Sequence, residues 1–319
     1  MSLETKIISC GSYLPKKILT NDELAKKVDT NDEWITSRTG IKQRHIAADD
    51  EYTSDLGYKA AKDALEKANM QASEIDAIIV ATTTPDNVFP SVATKIQHKL
   101  GIKDAFAFDV QAVCSGFVYG LTIADKFIKT SMAKNILVIG AEKLSKILDW
   151  SDRNTCVLFG DGAGAVIASQ SDGDSKIIDT NLHSDGKYFD ILYTDGGPAI
   201  NNQAAFIRMQ GKEVFKNAVS KMSNSIISII EKNDLTINDI DLIIPHQANN
   251  RILMAIKDKT KISEEKVMST VAKHANSSAA SIPLALSQAL EENVVKRSDM
   301  LVLTALGAGL TWGSILLKW

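Results

Sequence analysis

The sequence has few cysteines and no large excess of charge of either sign. Its three cysteines, Cys10, Cys114 and Cys156, are an odd number spread over 319 residues, which argues against a disulfide framework and favours a reducing compartment such as the cytoplasm. The 36 basic and 39 acidic residues give a formal net charge of -3, so no broad field attracts nucleic acid or anionic lipid. An anionic ligand would therefore need a local basic patch.

Long apolar runs are also missing. Residues 1–6 precede any apolar run, which differs from the layout of a signal peptide. The most apolar segment, residues 301–317, is interrupted by glycine, serine and threonine and is shorter than the ~20 residues that a membrane helix needs. We interpret it as two buried strands joined by a turn. No cluster of His, Cys, Asp or Glu has metal-ligand spacing, so we expect no metal and no membrane association.

What the sequence does contain is a repeat. Residues 74–80 and 239–245 are similar, and each follows a long amphipathic segment, residues 56–70 in the first case and 214–232 in the second. Both short segments are predicted to be buried strands. Strands that alternate with helices in this way indicate an α/β protein in which helices cover buried sheets.

A second pair of segments supports an internal duplication. The apolar strand predicted at residues 136–140 is echoed at 300–304, at nearly the same interval along each half. No low-complexity linker separates the halves, so we place the boundary in the polar segment 169–176. The predicted halves are residues 1–172 and 173–319.

Two segments interrupt the repeat. Residues 21–50 and 180–209 are polar and carry aromatic side chains, and insertions of this kind commonly form the walls of binding sites. The glycine-bearing loop at residues 159–165 lacks the sequence pattern of a nucleotide-binding loop. We predict that this loop is a turn packed near the site.

Cys114 is the first candidate for catalysis. Alternating aromatics at Phe106 and Phe108 predict a strand before it, and the apolar spacing of residues 117–127 predicts a helix after it. A helix N-terminus carries roughly half a positive charge, which favours a thiolate and can lower a cysteine pKa below about 8.5. The alternative is a small buried side chain. The other two cysteines lack such a setting and are interpreted as structural.

His246 and Asn276 are the candidates in the second half. His246 ends the predicted strand at 242–246, and strand ends are where α/β proteins place functional residues. Asn276 lies in a loop of small residues that would let a substrate approach the backbone. Each residue also has a purely structural interpretation, as a buried histidine or as an asparagine in a turn or cap.

Several short motifs are distributed over nearly the whole chain, and they are informative as a combination in a fixed order. They are residues 18–21, 33–41, 83–86, Cys114, 159–164, 246–249 and 311–313. Together they resemble the β-ketoacyl-acyl-carrier-protein synthase III family of the thiolase superfamily. The resemblance implies a five-layered αβαβα fold, a homodimer and an acyltransferase without a permanently bound cofactor. It implies the first condensation of type II fatty acid synthesis, in which acetyl from acetyl-CoA joins malonyl on acyl carrier protein.

The resemblance also implies a catalytic triad of Cys114, His246 and Asn276. Cys114 would attack the acyl-CoA thioester, with its own N–H and that of Ala308 stabilising the oxyanion. His246 and Asn276 would donate to the enolate that forms on decarboxylation. The family's common Gly-Gly-Gly is here Gly307-Ala-Gly309, and a positive φ at Ala308 would cost about 1 kcal/mol.

For coenzyme A, the resemblance implies stacking of adenine between Trp34 and Arg153, with Arg38 on the phosphates and Asn249 as a further contact. Stacking combined with local charge suits a protein whose net charge is negative.

For the remaining contacts, the resemblance implies that acyl carrier protein meets Lys216, Arg251 and Lys257 through electrostatics at the rim of the site. The aromatic at Phe89 would reach across the dimer and close the partner's acyl pocket, which favours short primers.

Other protein classes remain to be weighed. A papain-like hydrolase also uses Cys, His and Asn, but its Cys-Gly-Ser/Ala-Cys-Trp/Tyr signature is absent from this sequence and an internal duplication has no place in its fold. A degradative thiolase needs a further catalytic cysteine near the C-terminus, and no cysteine follows Cys156. A non-catalytic interaction protein would be expected to have lost part of the triad. A synthase III relative that makes a secondary metabolite stays open, because primer choice depends on pocket volume.

Overall fold

The computed structural model describes residues 3–201 and 206–319, and mixed sheets and helices make up this part of the chain. The strands are β1 (Thr5–Tyr13), β2 (Lys17–Thr20), β3 (Gln43–Ile46), β4 (Ala77–Ala81), β5 (Phe106–Val110), β6 (Asn135–Glu142), β7 (Gly162–Gln170), β8 (Lys176–Ser184), β9 (Leu192–Thr194), β10 (Ile207–Met209), β11 (Leu242–Pro245), β12 (Met300–Gly307) and β13 (Thr311–Lys318). The α-helices are α1 (Asn21–Leu24), α2 (Asp32–Thr39), α3 (Thr53–Ala68), α4 (Val92–Leu100), α5 (Gly116–Lys129), α6 (Arg153–Cys156), α7 (Gly211–Lys232), α8 (Asn250–Thr260), α9 (Val271–His274) and α10 (Ser281–Glu291).

Two larger sheets have corresponding strand orders. The first runs β1-β7-β6-β4-β5 and the second runs β8-β13-β12-β11. Strand β6 of the first sheet is antiparallel to β7 and parallel to β4. Strand β12 of the second sheet has the same arrangement, antiparallel to β13 and parallel to β11. Among residues 3–201 and 206–319, no strand of the second sheet takes the place of β5, and Val267 makes a single parallel bridge to Ile243 of β11 instead.

Helices alternate with the sheets in five layers. The apolar faces of α3 and α4 pack on one face of the first sheet. Apolar residues of α5 and α10 form a core shared by both sheets, and α7 and α8 cover the outer face of the second sheet. The αβαβα order that the thiolase-superfamily resemblance implies is therefore confirmed.

Side-chain alternation along β4 shows how the sequence builds these layers. Ile78 and Val80 join the outer core beneath α3, whereas Ile79 between them joins the central core with Phe117 of α5. Successive side chains of a strand point to opposite faces, so a continuous apolar run is what a sheet covered by helices on both faces requires.

The internal duplication is visible in local structure as well. Helix α3 leads through a 3₁₀ turn at Ala72–Glu74 into β4, and α7 leads through a turn at Ile237–Asp239 into β11. Each turn begins with a capping box, in which the acidic third residue accepts from the backbone N–H of the capping residue. The prediction of two strands in residues 301–317 is confirmed by β12 and β13.

The inserted segments contain short elements. Residues 21–50 include α1, α2 and β3, and residues 180–209 include β9, β10 and the end of β8, with residues 202–205 outside the described residues. Cys10, which the sequence analysis interprets as structural, is buried inside β1. Among the described helices, none combines the length and the apolar character that a membrane crossing requires.

Candidate active site

Cys114 lies where the sequence predicted, between β5 and α5. It is the middle residue of a 3₁₀ turn, Val113–Ser115, that leads directly into the helix. Val113 before it has φ of 50°, a strained conformation for a β-branched residue. Gly307 of β12 packs against this turn so closely that a Cβ there would lie 2.8 Å from Cys114 N. The turn is thus held by the second half of the chain.

The expected lowering of the Cys114 pKa is wrong for this structure. The thiol is buried, and burial raises its pKa to about 12. The nearby Ser278 hydroxyl acts in the opposite direction, although its Oγ makes no hydrogen bond among the described residues, and the negative charge of Glu142 raises the pKa further. Desolvation disfavours the charged form more strongly here than the helix terminus favours it. Cys114 is therefore a thiol in the free protein.

His246 directly follows β11 and is neutral. Burial lowers its pKa to about 3. Its Nδ1 lies 2.7 Å from Ser281 Oγ, and Ser281 Oγ also accepts from the backbone N–H of Gln247 at 3.3 Å. Nδ1 is the acceptor that Ser281 Oγ contacts among the described residues, so we assign the serine proton to that contact and the ring proton to Nε2. Nε2–H is the hydrogen-bond donor of this side chain.

Asn276 is oriented in the same sense, as a donor. Its Oδ1 accepts from the backbone N–H of Ser278 at 2.9 Å, so its NH₂ group is the part left for a ligand. Backbone hydrogen bonds tie the residue to the glycine-bearing loop, with Asn276 N donating to Leu158 O and Gly160 N donating to Asn276 O, each at 2.9 Å. Ala275 before it has φ of 55°.

The three candidate catalytic residues share one cavity. Cys114, His246 and Asn276 all line a cavity of about 670 Å³ that opens to the surface. Cys114 also lines a second cavity of about 130 Å³, together with Phe159 and Ala308. The sulfur thus lies where a long channel meets a small, mostly apolar chamber.

The coenzyme A candidates lie around the larger cavity. Trp34, Arg38 and Asn249 line it, and Arg153 does not. The Arg38 and Arg153 guanidinium carbons nevertheless lie 4.8 Å and 5.2 Å from the centre of the Trp34 ring. Arg153 also donates to the backbone oxygen of Asp29 at 2.9 Å. Both arginines therefore already contact the aromatic surface proposed for adenine.

The carrier-protein candidates differ from one another in their surroundings. Arg251 lines the larger cavity and lies 5.4 Å from the Phe215 ring centre. Lys216 is exposed nearby on the same helix as Phe215. Lys257 pairs with two carboxylates, at 3.2 Å and 3.5 Å, so part of its charge is already compensated.

Phe89 is 81% exposed and is not among the lining residues of either cavity. Its loop is attached to β5, because Asp109 accepts from the backbone N–H groups of Val92 and Ala93 at 2.7 Å and 2.8 Å. Strand β5 is the outer strand of its sheet. The exposed Phe89 therefore belongs to a segment that is held to an outer strand of the first sheet.

Ala308 fits its loop without backbone strain. Its φ is outside the left-handed region, so the cost expected for an alanine at positive φ does not arise. The neighbouring Gly309 has φ of 131°, a conformation that favours glycine.

The sequence pattern missed several residues of the site. Glu142 is completely buried near Cys114 and has a raised pKa because of that burial. The sequence could have indicated Glu142, because it is a carboxylate at the end of the otherwise apolar run of β6. Ser278 and Ser281 were not singled out, because serines in a small-residue loop have no distinguishing pattern. Lys212, which lines the larger cavity, was also not singled out.

Comparison with known proteins identifies one family. The model of the 3-oxoacyl-[acyl-carrier-protein] synthase III family matches residues 108–186, and the model of its C-terminal domain matches residues 230–319. A β-ketoacyl-[acyl-carrier-protein] synthase III of Ehrlichia canis is 58% identical over 313 residues, 98% of this chain and 98% of the relative. The Rickettsia bellii protein of that name is 55% identical over 314 residues, 98% of this chain and 99% of the relative.

Solved structures show the same likeness. The 3-oxoacyl-[acyl-carrier-protein] synthase III of Aquifex aeolicus VF5 matches with a TM-score of 0.95 at 50% identity, over 99% of this chain and 100% of that one. The priming β-ketosynthase of the R1128 polyketide biosynthetic pathway matches with a TM-score of 0.94 at 31% identity, over 99% of this chain and 97% of that one. The likeness therefore extends over both halves.

Proposed function

This chain belongs to the β-ketoacyl-[acyl-carrier-protein] synthase III family and is a condensing acyltransferase, and we propose that it initiates fatty acid biosynthesis by a decarboxylative Claisen condensation. A short acyl group, acetyl in the simplest case, passes from acyl-CoA to Cys114. Malonyl on acyl carrier protein then loses carbon dioxide and attacks that acyl group. With acetyl as the primer, the product is acetoacetyl-acyl carrier protein.

The first half-reaction is acyl transfer to Cys114. Its sulfur attacks the thioester carbonyl carbon, and the N–H groups of Cys114 and Ala308 donate to the developing oxyanion. The acyl chain enters the small chamber of about 130 Å³ while the pantetheine arm stays in the larger cavity. Coenzyme A leaves as the thiol once it has taken up the proton that Cys114 loses.

The second half-reaction is decarboxylation followed by carbon–carbon bond formation. The malonyl thioester oxygen gains negative charge as carbon dioxide leaves, and it accepts from His246 Nε2–H and from the Asn276 NH₂ group. The supporting observation is that the partners of both side chains, Ser281 and the Ser278 N–H, orient them as donors. The resulting carbanion attacks the acyl carbon on Cys114 and breaks the carbon–sulfur bond, and the Cys114 thiolate that leaves takes up a proton from solvent to become the thiol again.

Coenzyme A is held by charge and stacking at the cavity mouth. Adenine lies between the Trp34 ring and the Arg153 guanidinium, Arg38 contacts the phosphates, and Asn249 contacts the pantetheine arm. Because the Arg153 guanidinium lies 5.2 Å from the Trp34 ring centre, too close for a purine to lie between them, Arg153 swings outward when adenine binds. No permanently bound cofactor takes part.

Acyl carrier protein docks on the rim beside Lys216, Arg251 and Lys257. Of these three, Arg251 is the best placed, because it both lines the cavity and is exposed to solvent. Rim charges mainly affect association rate and its dependence on salt. The enzyme works in the cytoplasm, where both acyl-CoA and the carrier protein are available.

The functional unit is a homodimer formed through the first half of the chain, residues 1–172. Strand β5 offers an unpaired sheet edge, and the exposed Phe89 lies on the same face, attached through Asp109. Phe89 of one subunit then closes the acyl chamber of the other. The second half, residues 173–319, supplies the two donors.

The observation that carries this proposal is that Cys114, His246 and Asn276 line one cavity, with the two donors already oriented. The test is to incubate the protein with acetyl-CoA and malonyl-acyl carrier protein. Formation of acetoacetyl-acyl carrier protein together with carbon dioxide supports the proposal. Release of free acid without a condensation product would instead indicate a hydrolase with a Cys-His-Asn site.

A second candidate is a priming condensing enzyme of secondary metabolism. The observation that favours keeping it is the 31% identity to the R1128 priming β-ketosynthase over nearly the full chain. A panel of acyl-CoA primers separates the two functions. Preference for acetyl-CoA supports fatty acid initiation, and preference for longer or branched primers supports the second candidate.

A further inference from the structure

Arg44 is a fully buried cation that the condensation described above does not use. It lies in β3, in register with Leu19 of β2, and none of its surface is exposed. Burial lowers its pKa to about 10, so the guanidinium stays charged near neutral pH. In the described part of the chain it donates to carbonyl and amide oxygens rather than to a carboxylate.

Burying this charge is costly. A buried ion needs a partner of opposite charge or a full set of hydrogen bonds. Among the described residues, Arg44 has neither, since its Nε makes no hydrogen bond. Apolar residues of similar volume are often as stabilising at such a position, or more so. A contribution to stability alone therefore does not account for an arginine here.

The hydrogen bonds of Arg44 join segments that are far apart in the sequence. Its Nη1 donates to Leu19 O at 3.1 Å, and its Nη2 donates to Asn21 Oδ1 at 2.9 Å and to Val157 O at 3.0 Å. Gly160 packs against the same side chain, because a Cβ there would lie 3.1 Å from Arg44 Cβ. One planar guanidinium thus links the segment before α2 to the loop after α6.

Asn21 continues this link to α2. The residue is buried, and its Nδ2 donates to Asp32 Oδ1 and to Ile41 O, both at 2.8 Å. Asp32 is the first residue of α2, and Ile41 lies just beyond its end. Because Arg44 donates to Oδ1, the donor end of the amide is directed at the helix. The amide therefore contacts both ends of α2.

Helix α2 and the loop after α6 form two walls of the larger cavity. Trp34 and Arg38 line the cavity from the helix, and Val157 and Leu158 line it from the loop. The hydrogen bonds of Arg44 and Asn21 set the position of one wall relative to the other. A shift between these walls would displace the aromatic and cationic groups proposed to hold coenzyme A.

We propose that Arg44 is a positioning residue for acyl-CoA, which acts through Asn21 to fix Trp34 and Arg38 against the opposite wall of the cavity. The inference rests on the proposed function, because it takes coenzyme A as the ligand of the larger cavity. The turn that carries Cys114 lies outside this link, since its hydrogen bonds go to Ala112 and Thr311. Recognition of the nucleotide is thereby separated from the chemistry at the sulfur.

The test compares coenzyme A binding with acetyl transfer from a thioester that lacks the nucleotide. Arg44→Met keeps a long side chain and removes the charge and all donors. Calorimetry should show coenzyme A binding about tenfold more weakly to this variant, the scale of a lost hydrogen bond to a charged group. Labelling of Cys114 by S-acetyl-N-acetylcysteamine should stay within about twofold, because the variant loses only a binding contribution made by the nucleotide.

Asn21→Asp tests the link at a second point. The carboxylate keeps an acceptor for Arg44, but it removes the donor to Ile41 O and places a second negative charge against Asp32. The start of α2 is then displaced while the buried cation keeps a partner. Coenzyme A should again bind more weakly, and acetyl transfer from the short thioester should again be retained.

A matched control is Asn135→Ala. Asn135 is also buried, and its Nδ2 donates to Glu74 O at 2.9 Å while its Oδ1 accepts from Ser169 Oγ at 2.6 Å. It is not among the lining residues of either cavity. Its removal should lower stability and leave coenzyme A affinity unchanged.

Equal losses of coenzyme A binding and of short-thioester transfer in Arg44→Met would indicate a general structural role and overturn the proposal. Unchanged coenzyme A affinity in either variant, or an equal loss of affinity in Asn135→Ala, would also overturn it. If thermal denaturation shows that Arg44→Met does not fold, Asn21→Asp decides the question by itself. Failure of the unmodified protein to bind coenzyme A would remove the proposed function before any variant is measured, so the two can fail separately.

Discussion

The two halves of the chain place different chemistry at equivalent positions. The residue after β4 in the first sheet is Thr82, and the residue after β11 in the second sheet is His246. After the next strand position comes Cys114 in the first half, beyond β5, and Asn276 in the second half, beyond the bridge at Val267. One scaffold position thus carries the proposed nucleophile in one half and the proposed hydrogen-bond donor in the other.

The halves also support each other across the site. A Cβ on Gly140 of β6 would lie 2.2 Å from the backbone oxygen of Ala279 in the second half. A Cβ on Gly307 of β12 would lie 2.5 Å from the backbone oxygen of Ala112 in the first half. Each sheet therefore fixes the catalytic turn of the other, and neither half holds a complete site.

This difference explains the division of work. The first half keeps a buried carboxylate, Glu142, among the hydroxyls of residues 82–84. The second half holds neutral donors, His246 and Asn276, whose partners determine their orientation. The predictions below alter one half at a time.

The largest effect is expected for Cys114→Ala. The first half then has no nucleophile, so acyl transfer is lost, while the donors of the second half stay in place. Radiolabelled acetyl-CoA should label the unmodified protein and leave the variant unlabelled. Malonyl decarboxylation by the variant should continue at a measurable rate. Labelling that persists in Cys114→Ala would show that another residue carries the acyl group.

His246→Ala and Asn276→Ala should have the opposite pattern. Each removes one donor to the enolate, worth about 2.7–4 kcal/mol at comparable oxyanion sites, or a factor of about 10²–10³ in rate. Self-acylation by acetyl-CoA should be largely retained, because Cys114 is unchanged. Separate assays of enzyme labelling and of carbon dioxide release distinguish the two steps. Loss of labelling before loss of decarboxylation would contradict the division of roles.

The pH dependence of decarboxylation tests the same donor. Because burial lowers the pKa of His246 to about 3, the ring stays neutral above about pH 5 and Nε2–H remains available. Decarboxylation by Cys114→Ala should therefore show no inflection near pH 6.5, the ordinary pKa of histidine. An inflection there would mean that the ring titrates normally.

Gly307→Ala and Gly140→Ala test the contacts between the halves. In both variants the added methyl meets backbone that cannot move aside easily, so we expect a loss of about 1–3 kcal/mol in the free energy of unfolding. Gly101→Ala is a useful comparison, since nothing lies within 4 Å of a Cβ there, although its φ of 71° adds local strain. Urea denaturation measures the difference. Equal stability of Gly307→Ala and the unmodified protein would show that the turns are held in another way.

Phe89→Thr tests a feature of the first half, the exposed loop that Asp109 attaches to the outer strand β5. If Phe89 closes the partner's acyl chamber, a smaller side chain should admit longer or branched primers. One methylene against a rigid wall changes binding by about 1–3 kcal/mol, enough to reverse a primer preference. The readout is the primer profile, with light scattering as the measure of the dimer. A monomer in solution, or an unchanged profile, would refute this role.

The sequence predicted the scaffold of the site better than its electrostatics. Cys114 and His246 could be located because each follows a strand that the pattern of apolar residues along the sequence predicts. The state of each side chain depends on residues that only the fold brings close. Ser281 orients His246 from 35 positions away, and Glu142 faces Cys114 from a different strand. The burial that raises the Cys114 pKa likewise has no counterpart in local sequence, so the helix-terminus argument gave the wrong direction.

The smallest effect is expected at Ala308, where this chain departs from the Gly-Gly-Gly of its family. Its φ is compatible with alanine, so the methyl imposes no backbone strain and glycine at this position would relieve none. Ala308→Gly should instead lower stability slightly, by about 0.4–1 kcal/mol, because glycine gives the unfolded chain more freedom. Since Ala308 lines the small chamber, that variant also enlarges it by one methyl group. The acetyl-transfer rate should stay within about twofold, because the proposed donor is a backbone N–H that both residues possess. A large gain in rate for Ala308→Gly would mean that the methyl group misplaces this N–H, and the two halves would then differ in how well each is adapted to the shared site.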